Sequence, residues 1–306
     1  MNTGFKSSSQ SFRKKEEMNQ MSKRLLLRQL ADSYNVYWIF LLINFIAFLN
    51  TLNAANDNIA IDGRAAGLGN ASVTLSDIWS VNHNQAGLAY IKNNSAGICY
   101  ENNYLLTQLS QKAIAMALPI KGGVFGLSIC RFGYQLYSES KYGIAFSKML
   151  GEKISAGVQL DYFNTRIAEG YGSKGVPIVE LGLQAKLTNN LIIGTHLFNP
   201  TRSKIADYYN ERIPTIMQLG FNFRFSEKVF TVAEIEKDIL NKPNLKFGIE
   251  YHPKKELYLR TGFSTKHPSN SFGFGLQLKQ MKIDFAFSYS YLLGFTPHAG
   301  LIYTME

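Results

Sequence analysis

The sequence predicts an all-β protein, a transmembrane antiparallel β-barrel of about 14 strands, and three observations support this. From about Ser95 to the C-terminus apolar residues recur with period 2, and no stretch keeps a helical period. The alternating runs lie close to the roughly 9 to 11 residues a tilted strand needs to cross a bilayer, whereas sandwich strands run nearer about 5 or 6. The connections between the runs alternate between short and long. Composition agrees: 18% of residues are charged, below the roughly 25% of soluble domains, while Phe (21) and Tyr (17) are plentiful.

A chain with 46% hydrophobic residues, 8 Pro and 2 Cys in 306 is not a disordered tail, a collagen-like chain or a disulfide framework. Its mean hydropathy of -0.09 excludes a bundle of apolar transmembrane helices. Residues 1–54 read as a leader. A basic stretch with Lys23, Arg24 and Arg28 precedes the apolar run 36–49, which is short for a spanning helix and ends near Asn53-Ala54-Ala55. This is the pattern of a secretory signal peptide cut near Ala54 or Ala55. Leu52 at the minus-three position keeps an uncleaved anchor open, and Met18 and Met21 keep a later start open. The leader holds seven Lys/Arg against three Asp/Glu, so +6 of the formal +10 remains downstream. Those charges are dispersed rather than clustered, which argues against a nucleic-acid partner.

Residues 55–94 do not read as a strand series, and 95–306 form the barrel. Strands are expected at 95–103, 108–119, 123–133, 138–149, 153–163, 176–187, 191–198, 214–225, 229–237, 243–252, 257–263, 271–278, 282–291 and 297–304. In the cleanest, Leu245, Phe247, Ile249 and Tyr251 alternate with Lys246, Gly248, Glu250 and His252. Met217, Leu219, Phe221, Phe223 and Phe225 alternate likewise with Gln218, Gly220, Asn222 and Arg224. The apolar face is assigned to lipid. The polar or small face is assigned to the lumen and carries Arg224, Glu234, Lys246, Glu250, Arg260 and Asp284.

Matching faces across the tight turn at 253–256 pairs Phe247 with Phe263, Gly248 with Gly262 and Glu250 with Arg260. A one-residue slip would set charges against lipid, at about 2 to 4 kcal/mol for Arg at mid-membrane. Connections after even strands are brief. Those at 164–175, 199–213, 238–242 and 264–270 are longer, which puts the short turns on the periplasmic side of an outer membrane. Cys99 and Cys130 fall on inward positions of strands one and three. With a strand between them they should sit about 9 to 10 Å apart at roughly 4.8 Å per strand, too far for a disulfide.

Inward positions are often small: Gly143, Gly157, Gly182, Gly194, Gly220, Gly248, Gly262, Gly273, Gly275 and Ala286. Such a wall leaves volume for something to fill, and it also eases strand coiling. The segment ahead of strand one contains Gly63-Arg64-Ala-Ala-Gly67-Leu-Gly69-Asn-Ala71, then an Asp77-containing stretch and Asn84-Gln85-Ala86-Gly87-Leu88. The pair resembles the opening of the PorV/PorQ family and the wider FadL-like barrel superfamily, where a G-A-R-x-x-G-M-G-G-A segment precedes N-P-A-G-L. Leu68, Asn70 and Gln85 depart from that pattern, and Gln85 replaces a rigid turn former. The resemblance implies a 14-stranded barrel whose segment 55–94 is a lumen plug or hatch built on Gly63, Arg64, Gly67, Gly69, Asn84, Ala86, Gly87 and Leu88. It also implies the outer membrane of a Gram-negative, Bacteroidetes-like bacterium.

No catalytic residues, metal ligands or cofactor are assigned. The five histidines have no ligand spacing, and no nucleophile motif is present. The acidic run Glu234, Glu236, Asp238 reads as a cross-strand charge ladder rather than a cation site. The expected partners are outer-membrane lipid together with one of two further kinds. In the PorV/PorQ-like reading, which the modest loops favour, the chain is an accessory of type IX secretion or surface attachment that meets the translocon or secreted cargo. In the FadL-like reading it is a channel for a hydrophobic solute. Tyr208, Tyr209, Leu292, Leu293 and Phe295 are placed in external loops as contacts for a partner or solute.

Overall fold

The computed structural model describes residues 61–305 apart from 171, 206–211, 240 and 267. The leader reading for 1–54 therefore lies outside the described residues, as do Tyr208 and Tyr209. Fourteen strands close a barrel in which each strand is antiparallel to its sequence neighbours and β1 closes on β14. They are β1 (Ser95–Asn102), β2 (Ser110–Ile120), β3 (Gly123–Gly133), β4 (Tyr137–Met149), β5 (Ile154–Ile167), β6 (Gly172–Lys186) and β7 (Leu191–Phe198), then β8 (Ile216–Arg224), β9 (Val229–Asp238), β10 (Asn244–Lys254), β11 (Leu257–Ser264), β12 (Ser269–Leu278), β13 (Met281–Ser290) and β14 (Gly294–Thr304).

Closure of β1 on β14 leaves no edge strand, the condition for strands to cross hydrocarbon. The outer face is the apolar one. Ile98, Ile144, Leu160, Met217, Phe247 and Phe287 are all exposed. Their inward neighbours Cys99, Ala145, Asp161, Gln218, Lys246 and Ala286 are buried.

The β10–β11 hairpin pairs Phe247 with Phe263, Gly248 with Gly262, Ile249 with Thr261 and Glu250 with Arg260, the register its charges predict. Cys99 and Cys130 each lie opposite Ala113, on either side of it, and both are free thiols. Two expected long loops are shortened by strand: β5 and β6 stay paired from Asn164 with Gly175 out to Ile167 with Gly172, and β12 begins at Ser269, leaving 265–268 between it and the end of β11. The hydrogen-bonded ladder runs past the apolar band there, into residues whose polarity resembled a loop. Longer connections remain at 199–215, at 239–243 and at the two 3-10 turns Asn103–Leu105 and Thr107–Leu109.

The residues ahead of β1 form two short helices, α1 (Gly63–Gly67) and α2 (Ser80–His83), and a 3-10 turn, Gln85–Tyr90. Almost all of 61–88 is buried, with Ala65, Leu68, Trp79, Val81 and Leu88 at 0% exposure. These residues pack against the inward side chains and glycines of the strands, so the barrel's core consists of this segment and the inner wall, which is apolar at Ala113, Ala115, Val124, Phe230 and Val232 and polar over much of the rest. α1 starts at Asp62, whose carboxyl oxygens accept from the N–H groups of Arg64 and Ala65.

Candidate functional site

The segment fits because the wall gives up its side chains where the two meet. A Cβ on Gly248 would stand 2.6 Å from the Leu68 carbonyl oxygen, and one on Gly157 would stand 2.5 Å from the Gln85 carbonyl carbon. Gly262 lies directly against Leu68 and Gly69, Gly182 against Asn84, and Gly194 and Gly220 against Val73. Gly69 has φ 67, and a Cβ there would also strike the Phe263 backbone, so this motif glycine is required twice over. Gly67 lies against Gly273 and Arg260, Leu88 against Gly126, and a Cβ on Gly87 would meet the Leu75 carbonyl. Gly143 and Gly275 behave differently. They make room for wall side chains, Gln159 and Asp161 in one case and Arg260 and Asp284 in the other.

Three wall carboxylates bind the segment. On β10, Glu250 receives Arg64 Nε at 3.1 Å and Nη2 at 3.3 Å, while Arg64 Nη1 donates to Asp77 Oδ2 at 2.8 Å. On β9, Glu234 Oε2 accepts the Ser72 and Val73 backbone N–H groups at 2.8 and 2.9 Å. On β6, Glu180 Oε2 accepts Gln85 Nε2 at 2.7 Å. Each carboxylate is also neutralised from the wall, Glu250 by Arg260, Glu234 by Lys246 and Glu180 by Lys141, and His252 and His196 hydrogen-bond to Glu250 and Glu180. Arg260 continues to Asp284. Buried charges of this kind are tolerated because they are paired and hydrogen-bonded. Asn84 completes the attachment, its Nδ2 donating to the carbonyls of Val73, Leu183 and Thr195 and its Oδ1 accepting from Ala86 N–H.

Within the segment, burial pushes the Asp62 carboxyl up to about 8, reinforced by Asp77 and Asp284. Burial also presses on Asp77, but the Arg64 guanidinium outweighs it and holds that carboxyl below its ordinary range. Burial lowers His83 to about 4, which keeps it neutral.

Of the six charges assigned to the lumen, Glu234, Lys246, Glu250, Arg260 and Asp284 are buried inside and joined in ion pairs. Arg224 is a correction: it keeps the inward parity of β8 but ends the strand and is exposed at the short-turn rim. Phe295 is another. It lies in β14 rather than a loop and packs against Tyr289 at 4.7 Å on the outer face. Leu292 and Leu293 occupy the turn before it, 83% and 48% exposed. Glu236 shares Lys246 with Glu234, a charge ladder across β9 and β10.

The sequence reading assigned no role to Asp62, Asp77 or Glu180. Glu180 was accessible by parity, since Leu181 and Leu183 face outward around it. Also unassigned was an apolar patch on the inner wall at the long-loop end. Phe163, Ile178, Phe198 and Ile216 cluster there with Ile213 and Ile205 from the 199–215 loop. Lys141 Nζ lies 5.5 Å from the Phe198 ring, joining this patch to the Glu180 network.

No protein-family model matches the chain, and no curated protein matches its sequence. Solved structures match its architecture. The Ralstonia pickettii toluene transporter TbuX aligns with a TM-score of 0.66 at 10% identity, over 82% of this chain and 100% of that one. The chain has the fold of the FadL-like barrels. A Pseudomonas aeruginosa FadL homologue aligns at 0.61 and 11% identity, over 80% and 98% of the two chains. The P. putida toluene transporter TodX gives 0.61 and 12%, over 80% and 97%. These neighbours are FadL-type transporters, so the PorV/PorQ half of the resemblance rests on the two sequence motifs alone.

Proposed function

We propose that this chain is a non-enzymatic outer-membrane channel for a hydrophobic small molecule, with residues 61–91 as its hatch and the short turns in the periplasm. The observation that carries this reading is the apolar cluster of Phe163, Ile178, Phe198, Ile213 and Ile216 at the long-loop end of the barrel, separate from the two apolar clusters in which the wall packs against the N-terminal segment. An inward apolar surface brings no benefit to a water-filled pore, but it gives an apolar solute a place to leave water. Beyond the patch the segment fills the barrel, so passage requires the segment to move. It is held by side-chain hydrogen bonds, ion pairs and apolar contacts rather than by strand pairing with the wall, which suits it to do so. The similarity to hydrocarbon transporters over about four-fifths of the chain supports the same reading.

The test is equilibrium binding of toluene and of oleate to the purified protein, read from Trp79, the one tryptophan beyond the leader. Saturable binding that Phe198→Asn and Ile178→Asn weaken at least tenfold supports a solute channel. Absence of saturable binding, together with recovery of type IX translocon or cargo proteins from detergent-solubilised outer membrane, would replace it with the PorV/PorQ-like accessory role.

A further inference from the structure

Each of the six short turns carries or directly adjoins an exposed lysine: Lys121, Lys153, Lys186, Lys228, Lys255 and Lys279. Since the turns fall at every second strand boundary, these lysines are spread around the whole circumference of one rim. Lys148, Arg224 and Lys254 add exposed positive charge beside them, while the exposed acids of the same turns are Glu152, Glu227 and Glu256. None of the six lysines forms an ion pair among the described residues.

The depth of this ring is set by what adjoins it. Ile120, Leu150, Leu187, Phe225 and Leu278 lie within three residues of five of the lysines and are between 48% and 63% exposed, so the apolar band ends where the lysines begin. In a bilayer that boundary is the headgroup layer, and a lysine stem reaches along apolar surface while its ammonium stays among polar groups. We infer that this lysine ring is an interaction surface for anionic phospholipid headgroups of the leaflet the short turns face, with the phosphate as the group recognised. The inference rests on the reading of the barrel as membrane-spanning and does not depend on which solute it carries. A phosphate held by one lysine is favoured roughly five-fold near such a surface.

The experiment reconstitutes the full chain into vesicles of equal phosphatidylglycerol and phosphatidylcholine, then counts the lipids retained after mild detergent extraction by native mass spectrometry. The unaltered chain should retain phosphatidylglycerol over phosphatidylcholine by roughly five-fold, falling toward parity in about 0.5 M salt. Replacing all six lysines by Gln should abolish the preference. Replacing Arg131, Arg166, Lys174, Arg202, Lys204 and Lys242 by Gln at the other end should leave it intact. Should the six-lysine variant fail to assemble, the salt series on the unaltered chain still decides. Equal retention of the two lipids by a chain that floats with vesicles, or equal loss in both variants, overturns the inference alone. A chain that does not float with vesicles overturns the membrane reading and the inference with it.

Discussion

Arg64→Met tests whether the ion pairs hold the N-terminal segment in place. Methionine keeps most of the stem and removes two contacts to Glu250 and one to Asp77. Deleting one partner of a buried pair costs about 3 to 5 kcal/mol. Here Glu250 retains Arg260 and His252, Asp77 retains the Trp79 N–H, and the Arg64 side chain is 15% exposed. The lower end, about 3 kcal/mol, therefore applies. At tenfold per roughly 1.4 kcal/mol, the released population should rise about a hundredfold. Hydrogen exchange followed by mass spectrometry should report this as faster exchange in peptides from 61–91, with the strand peptides unchanged. Adding Glu250→Gln completes a double-mutant cycle, and the two changes should cost less together than their sum, because each removes the same pair. Unchanged exchange in 61–91, or strict additivity in the cycle, would refute the claim that this pair retains the segment.

Three further outcomes follow from the same contacts. Gly262→Val places a branched side chain where Leu68 and Gly69 lie, so exchange protection in 61–91 should collapse while the barrel keeps its resistance to unfolding in detergent; retained protection would show that the wall can yield there. Asp62 has its folded value raised from 3.8 to about 8, so its contribution to docking is complete below about pH 3.8 and fades as pH rises through about 8. Protection factors for the first turns of the segment, corrected for intrinsic exchange, should accordingly fall between about pH 4 and pH 8 and level off above it, and Asp62→Asn should flatten that dependence. Cysteines placed at Lys204 and at Lys254, in a background lacking Cys99 and Cys130, should differ on intact cells, with only position 204 reached by an impermeant maleimide. Labelling at 254 alone would invert the orientation.

The barrel was legible because its outer wall obeys one rule, an apolar residue at every second position, and because charges such as Glu250 and Arg260 permit only one register. The ends of strands were less legible, because past the apolar band the ladder continues on backbone hydrogen bonds with no constraint on polarity, as in 164–167 and 172–175. The inner patch escaped for a related reason. In β5 to β8 both faces are apolar near the long-loop end, so Tyr162-Phe163 and Ile178-Val179 erase the period that distinguishes lipid from lumen.

The segment inside the barrel was half legible. The inward glycines announced missing volume, and the structure assigns most of that volume to particular residues: Gly262 to Gly69, Gly182 to Asn84, Gly157 to Gln85. What sequence could not supply was the partner of each charge, because Arg64 and Glu250 are 186 positions apart and nothing local links them. Gln85 makes the point most sharply. As a departure from the Pro of the resembling motif it looked like the loss of a turn former. In the fold it is a gain, since its amide reaches Glu180 on the adjoining strand β6 while Asn84 still caps the 3-10 turn. Proline could not make that contact. A carboxylate already paired with Lys141 and His196 can accept one more donor at little cost. The substitution therefore exchanges local rigidity for a wall contact, and the same polar side chain that holds the segment is one that water could replace if the segment moved.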